Sequence, residues 1–136
     1  MSRRLRFAPF GLVLLACLGG GAFAAPTSIA ATVSLERGVL RYTADLGDQN
    51  RVSVWRSAGG LSIVVNDVQR TGDGCAMAEP SEARCPLVAG APLPRVRLVL
   101  GDRSDSAEIE RLVGRVAAGP GNDQVTAAGL LDGGGK

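Results

Sequence analysis

The sequence contains no histidine, which removes the commonest general acid–base residue and a principal nitrogen ligand for metals. Aromatic residues are almost as scarce: three Phe, one Tyr and one Trp in 136 residues. Phe7, Phe10 and Phe23 all fall in the first two dozen positions, so a core in the remainder must come mainly from Val, Leu, Ile and Ala, with Tyr42 and Trp55. The apolar run Phe7 to Leu18, interrupted by Pro9 and Gly11, is too short to span a bilayer, and no membrane span is expected from it. There are only three thiols: Cys17, Cys75 and Cys85.

That apolar run has the surroundings of a secretory signal peptide. Arg3, Arg4 and Arg6 form a positive head, Gly19, Gly20 and Gly21 end the run, and Ala22 and Ala24 supply small residues at −3 and −1 of a cleavage site before Ala25. Residues 1–24 are therefore expected to be removed and the product secreted to an extracellular location. Leu14-Leu15-Ala16-Cys17 resembles a bacterial lipobox, which leaves open a lipid anchor through Cys17. Ser2-Arg3-Arg4 bears a likeness to a twin-arginine signal, so the export route stays open too.

Cleavage changes the charge argument. The chain carries 15 Lys+Arg against 13 Asp+Glu, and losing three arginines leaves 12 against 13, a net of −1. No basic field is implied, and nucleic acid is not an expected partner. Cys75 and Cys85 remain as an even pair in an oxidising compartment. With no histidine and no third thiol to complete a metal site, they read as a disulfide. Such a crosslink contributes about 2–3 kcal/mol by loop-entropy reasoning.

What remains is one small domain and a tail. Val33 and Leu35, then Leu40, Tyr42 and Ala44, then Val52 and Val54, then Leu61, Ile63 and Val65, then Val96, Leu98 and Leu100 each alternate with other residues. Glu36-Arg37-Gly38, the stretch 45–50 and Ser57-Ala58-Gly59-Gly60 supply turns between them. Period-two runs separated by turn signals predict antiparallel β structure with those apolar residues on buried faces. Pro80, Pro86, Pro92 and Pro94 mark the stretch that holds both cysteines as irregular. The segment 106–116 is ambiguous: Ile109, Leu112, Val113 and Val116 fit helical spacing, but Gly114 and Gly119-Pro120-Gly121 restrict any helix to about two turns. The commitment is to an all-β chain, with a β-rich domain over 25–100 and a distinct tail over 101–136.

The tail carries the chemistry. Ala118-Gly119-Pro120-Gly121-Asn122-Asp123-Gln124-Val125-Thr126 resembles the nonapeptide G-G-x-G-x-D-x-U-x of haemolysin-type (RTX) calcium-binding repeats, with Ala118 in place of the first Gly. Asp105 and Gly101 precede Asp123 and Gly119 by eighteen residues, two such repeats, and Arg103 stands where that earlier turn would have a Gly. Leu40-Arg41-Tyr42-Thr43-Ala44, Asn50-Arg51-Val52-Ser53-Val54, Asn66-Asp67, the Cys75…Cys85-Pro86 loop and Val99-Leu100-Gly101-Asp102 follow an order similar to the N-terminal regions of secreted bacterial proteins that continue into RTX arrays. The resemblance implies a partial parallel β-roll after a small antiparallel domain, and a Ca²⁺ site using Asp123, Gly119, Gly121, Asp105 and Asn122. Gly positions permit tight turns with carbonyl oxygens turned inward, and carboxylates add the anionic oxygens a hard cation takes. Gly119 to Asp123 also reads as an ordinary Gly- and Pro-rich loop.

Three function classes follow from these residues. The leading expectation is an exported, non-catalytic protein whose Gly- and Asp-rich tail is ordered by calcium. The alternative is a secreted or lipid-anchored β-rich binding or structural domain without a working metal site. An enzyme is not expected, because Glu79 and Glu82, or Glu108 and Glu110, sit among charged residues with no partner set for acid–base work.

Overall fold

The structure, a computed structural model, describes residues 30–128; the leader with Cys17 and the segment 129–136 with Asp132 lie outside them. Among the described residues there are eleven strands and no helix. The segment 106–116 forms two strands, not a helix. None of the described residues belongs to a helix long and apolar enough to cross a membrane.

The chain opens with β1 (Thr32–Glu36) and β2 (Val39–Thr43), an antiparallel pair turned by Arg37 and Gly38, both at positive φ. It then crosses through residues 44–50 into the second sheet as β3 (Arg51–Arg56) and returns antiparallel as β4 (Ser62–Asn66). The short β5 (Arg70–Thr71) lies parallel to β1, and β6 (Ala76–Glu79) with β7 (Glu82–Pro86) extends the second sheet beyond β4. The chain next rejoins the first sheet as β8 (Arg95–Val99), crosses through residues 100–105 to β9 (Ser106–Glu110), and repeats the circuit as β10 (Gly114–Ala117) and β11 (Gln124–Ala128). The two sheets run β10-β8-β2-β1-β5 and β11-β9-β3-β4-β7-β6.

Both sheets are mixed. The expectation of antiparallel structure holds for β1–β2, β3–β4, β4–β7 and β6–β7. In contrast β2, β8 and β10 pair in parallel, as do β3, β9 and β11. Parallel pairing needs a crossover, and here each crossover is a turn from one sheet to the other. Gly114 lies beside Val96 and Gln124 beside Ser106, so the last circuit repeats the one before it at a step of eighteen residues in both sheets. The boundary expected at residue 100 falls inside the turn joining β8 to β9, and both sheets run across it.

The inward faces of the two sheets share one core. Val33, Leu40, Tyr42, Val52, Val54, Ile63, Val65, Val96 and Leu98 are buried in it, as their alternation predicts. Leu35 is only partly buried, and Leu61, expected inside, is 69 % exposed because β4 begins after it at Ser62. The stretch expected to be irregular between Pro80 and Pro94 contains β7, whose Ala83 and Cys85 face the core. Pairing of Ala76 with Arg84 brings Cys75 opposite Cys85. They form a disulfide with Cα atoms 4.1 Å apart, slightly closer than the usual range of about 4.4–6.8 Å.

Candidate functional site

Three turns stack at one end of the molecule: residues 44–50, 100–105 and 118–123. Their backbones are tied at both ends. The Ala44 N–H donates to the Val99 carbonyl at 2.8 Å and the Leu100 N–H to that of Ala117 at 3.0 Å. On the other sheet the Ser106 and Gln124 N–H groups donate to the carbonyls of Asn50 and Asp105, both at 2.8 Å. The residue just before each strand is Asn50, Asp105 or Asp123, and these three form a ladder. Asp105 Oδ1 accepts from the Asn50 N–H at 2.8 Å, and Asp123 Oδ1 accepts from the Asp105 N–H at 2.9 Å.

The glycines of the third turn are required by how closely it lies on the second. Gly119 has φ near +81°, and a Cβ there would collide with the Gly101 carbonyl oxygen. A Cβ on Gly121 would meet the Arg103 carbonyl oxygen in the same way. Gly119 and Asp123 are thus brought onto Gly101 and Asp105. Asn122 is exposed, and its N–H reaches Ser104 Oγ at 3.4 Å.

The lower turn pair has an unexpected occupant. Asn50, 4 % exposed, directs Nδ2 toward four oxygens: the carbonyls of Asp45 (3.3 Å), Asp48 (3.1 Å) and Leu100 (3.1 Å), and Asp105 Oδ1 (3.3 Å). An amide nitrogen has two protons, so this is more acceptors than it can satisfy at full strength. Several oxygens converging on one positively polarised centre is the arrangement a cation would also draw. Asn50 opens a segment that carried the family resemblance, but it was not among the expected site residues. Its signal was alignment: Asn50-Arg51-Val52, Asp105-Ser106-Ala107 and Asp123-Gln124-Val125 all place an Asn or Asp two residues before an inward-facing small or apolar side chain.

The carboxylate of Asp105 reaches down to Asn50 and shares this lower gap, while that of Asp123 lies in the gap above. Asp105 is 2 % exposed, and its Oδ2 has no hydrogen-bond partner among the described residues. Leaving a buried carboxylate oxygen without a donor or cation costs several kcal/mol. Asp123, one step further, is partly exposed. A polar depression lined by Asn50, Ser104, Asp105, Asn122 and Gln124 opens beside the ladder. Among the described residues no three Cys, Asp or Glu side chains converge on one point, so a cation here would draw largely on carbonyl oxygens and water.

Behind the turns, Tyr42 is fully buried and its hydroxyl donates to the Asp67 carbonyl at 3.0 Å. Burial pushes its phenol well above the ordinary tyrosine range, with the charges of Asp67, Asp105 and Asp45 adding to the shift. The acidic pairs on the strands lie elsewhere: Glu79 faces Glu82 across a hairpin, and Glu108 and Glu110 are exposed on β9. Comparison with protein-family models, with curated proteins and with solved structures finds no match to this chain.

Proposed function

We propose that the chain is an exported, non-catalytic calcium-binding protein whose stacked circuits form a short RTX-type parallel β-roll. The cation would lie between the turns 100–105 and 118–123. The observation that carries this reading is the buried Asp105 carboxylate, held through Oδ1 by Asn50 of the turn below and left without a hydrogen-bond partner at Oδ2, one residue from the turn that Asp123 caps. Asp123 adds a second carboxylate eighteen residues on, and Gly119, Gly121 and Asn122 add oxygen donors of the kind Ca²⁺ takes. Bound Ca²⁺ would neutralise the two carboxylates and tie the upper turns together. The step of eighteen residues in both sheets supports the roll, and the disulfide fits an oxidising compartment outside the cytoplasm.

Two carboxylates are few for a cation that takes six to eight oxygens, so the affinity belongs with the weakest extracellular modules, about 10⁻⁴–10⁻³ M. Calorimetric titration of the oxidised, chelator-treated protein with CaCl₂ tests the proposal. A saturable heat that disappears in both Asp105→Asn and Asp123→Asn is expected, and no saturable heat up to about 10 mM would overturn it.

The second reading is a metal-free β module. It is favoured by the ladder itself, since Oδ1 of both Asp105 and Asp123 is already engaged by a backbone N–H. A flat titration together with an unfolding temperature indifferent to calcium selects it.

A further inference from the structure

A different face of the molecule points to a partner of its own. Arg41 on β2, Arg97 on β8 and Arg115 on β10 are directly in register across three parallel strands. All three are exposed, and Arg95 lies two residues before Arg97 on the same face. The other outward positions of these strands are Val39, Thr43, Val99 and Ala117, so this face carries four arginines and no acidic residue. Glu36, at the end of β1 opposite Val39, is the acid at its rim. The ion pairs Glu82–Arg84 and Glu110–Arg111 belong to the other sheet.

Neighbouring strands stand about 4.8 Å apart, and like charges directly opposite one another on adjacent strands destabilise a sheet. The row is not a by-product of a basic chain. Residues 30–128 hold 11 Arg against 12 Asp+Glu, a net of −1, yet four of those arginines share the outward face of three strands. The core lies on the opposite side of these strands.

We propose that this row is a docking surface for a linear anionic polysaccharide lying across the strands. Guanidinium groups bind carboxylate or sulfate through paired N–H donors, and a row spaced at the strand interval matches a polymer with one anionic group on each sugar ring. The row runs across three strands, bounded toward the turns by uncharged Thr43, Val99 and Ala117 and joined on its other side by Arg95 alone. That shape fits a chain, whereas a bilayer presents its charge in two dimensions. The surface stands apart from the turn stack, and its binding is independent of calcium.

Binding of polygalacturonate to the oxidised protein at low salt, with neutral dextran as control, tests the surface. Binding should weaken as salt rises. Arg97→Gln, at the centre of the row, should lower affinity roughly twofold to fivefold, and Arg41→Gln/Arg97→Gln further, while Arg51→Gln on the other sheet has no effect. Both row variants should unfold at or slightly above the wild-type temperature, because a like-charge contact is removed. Absence of binding, equal binding by the row variants, a lowered unfolding temperature in Arg97→Gln, or binding to phosphatidylglycerol vesicles without binding to the polymer would each overturn the proposal.

Discussion

Between the turns 44–50 and 100–105 the interior is filled by an amide, whereas the same register position one step up belongs to a carboxylate. Asn50 and Asp105 occupy equivalent places before β3 and β9, and each gives its backbone N–H to the carboxylate above. Their side chains then diverge. Asn50 Nδ2 satisfies carbonyls of its own turn and of the next. Asp105 leaves a buried oxygen without a donor. The amide brings its own polar hydrogens to the gap, and the carboxylate brings acceptors alone. Two equivalent backbone positions thus differ in what their side chains supply to the same gap, which also holds the buried Asp45.

The largest effect should come from removing the close approach that only the upper pair requires. Gly119→Ala places a methyl group against the Gly101 carbonyl at positive φ and should destabilise the last circuit by about 2–3 kcal/mol. Protease sensitivity appearing first at 118–128, with Tyr42 fluorescence still native, would report it. Gly101→Ala, where the nearest atom is the Asp45 carbonyl oxygen at 3.5 Å, should cost only the backbone strain.

Asn50→Ala should come next, at about 2 kcal/mol, because it leaves buried carbonyls and Asp105 Oδ1 short of a donor. Chemical denaturation should show the loss to be the same with and without calcium. Asn50→Asp replaces the amide with a second carboxylate against Asp105 Oδ1. It should be destabilised in chelator and regain stability in millimolar CaCl₂; a loss that calcium leaves untouched would break the comparison.

The reciprocal change, Asp105→Asn, is smaller and opposite in sign. It supplies an amide where Asp105 Oδ2 lacks a donor, so stability in chelator should hold or rise by about 1 kcal/mol while the calcium response expected from the proposal is lost. The smallest effect concerns Tyr42, which sits behind both pairs. A phenol whose pKa is raised on folding contributes stability that is present below about pH 10 and lost as pH rises beyond it. Tyr42→Phe should cost about 1 kcal/mol at neutral pH for the lost hydrogen bond to Asp67 and should flatten the alkaline limb of a stability–pH curve.

Much of this was legible in the sequence where the cause was local. Period-two alternation located the strands around Leu40, Tyr42, Val52, Val54, Ile63, Val96 and Leu98, since a strand buried on one face leaves that imprint. Ala76–Glu79 left none, being exposed throughout, so its hairpin with β7 was read as an irregular stretch. Strand direction was also hidden: alternation does not distinguish β8 lying parallel to β2 from the antiparallel arrangement expected. The spacing of Gly101 and Asp105 from Gly119 and Asp123 was readable because eighteen residues is a short, fixed step. The part played by Asn50 was not, because its partners Leu100 and Asp105 are about fifty residues away and the intervening strands set the alignment.

The two-by-two pairing of the last circuit has a thermodynamic consequence. Among the described residues β10 pairs with β8 and β11 with β9, so within them this circuit draws its order from a single neighbour, as an end unit does in a one-dimensional array. Its melting is therefore a boundary event, able to proceed while the disulfide-linked body keeps its shape. A ligand in the upper turns would move that boundary and leave the global transition nearly where it was. If the proposed calcium site holds, its effect belongs in hydrogen exchange at the amides of 114–128, in a transition distinct from the one that unfolds the rest.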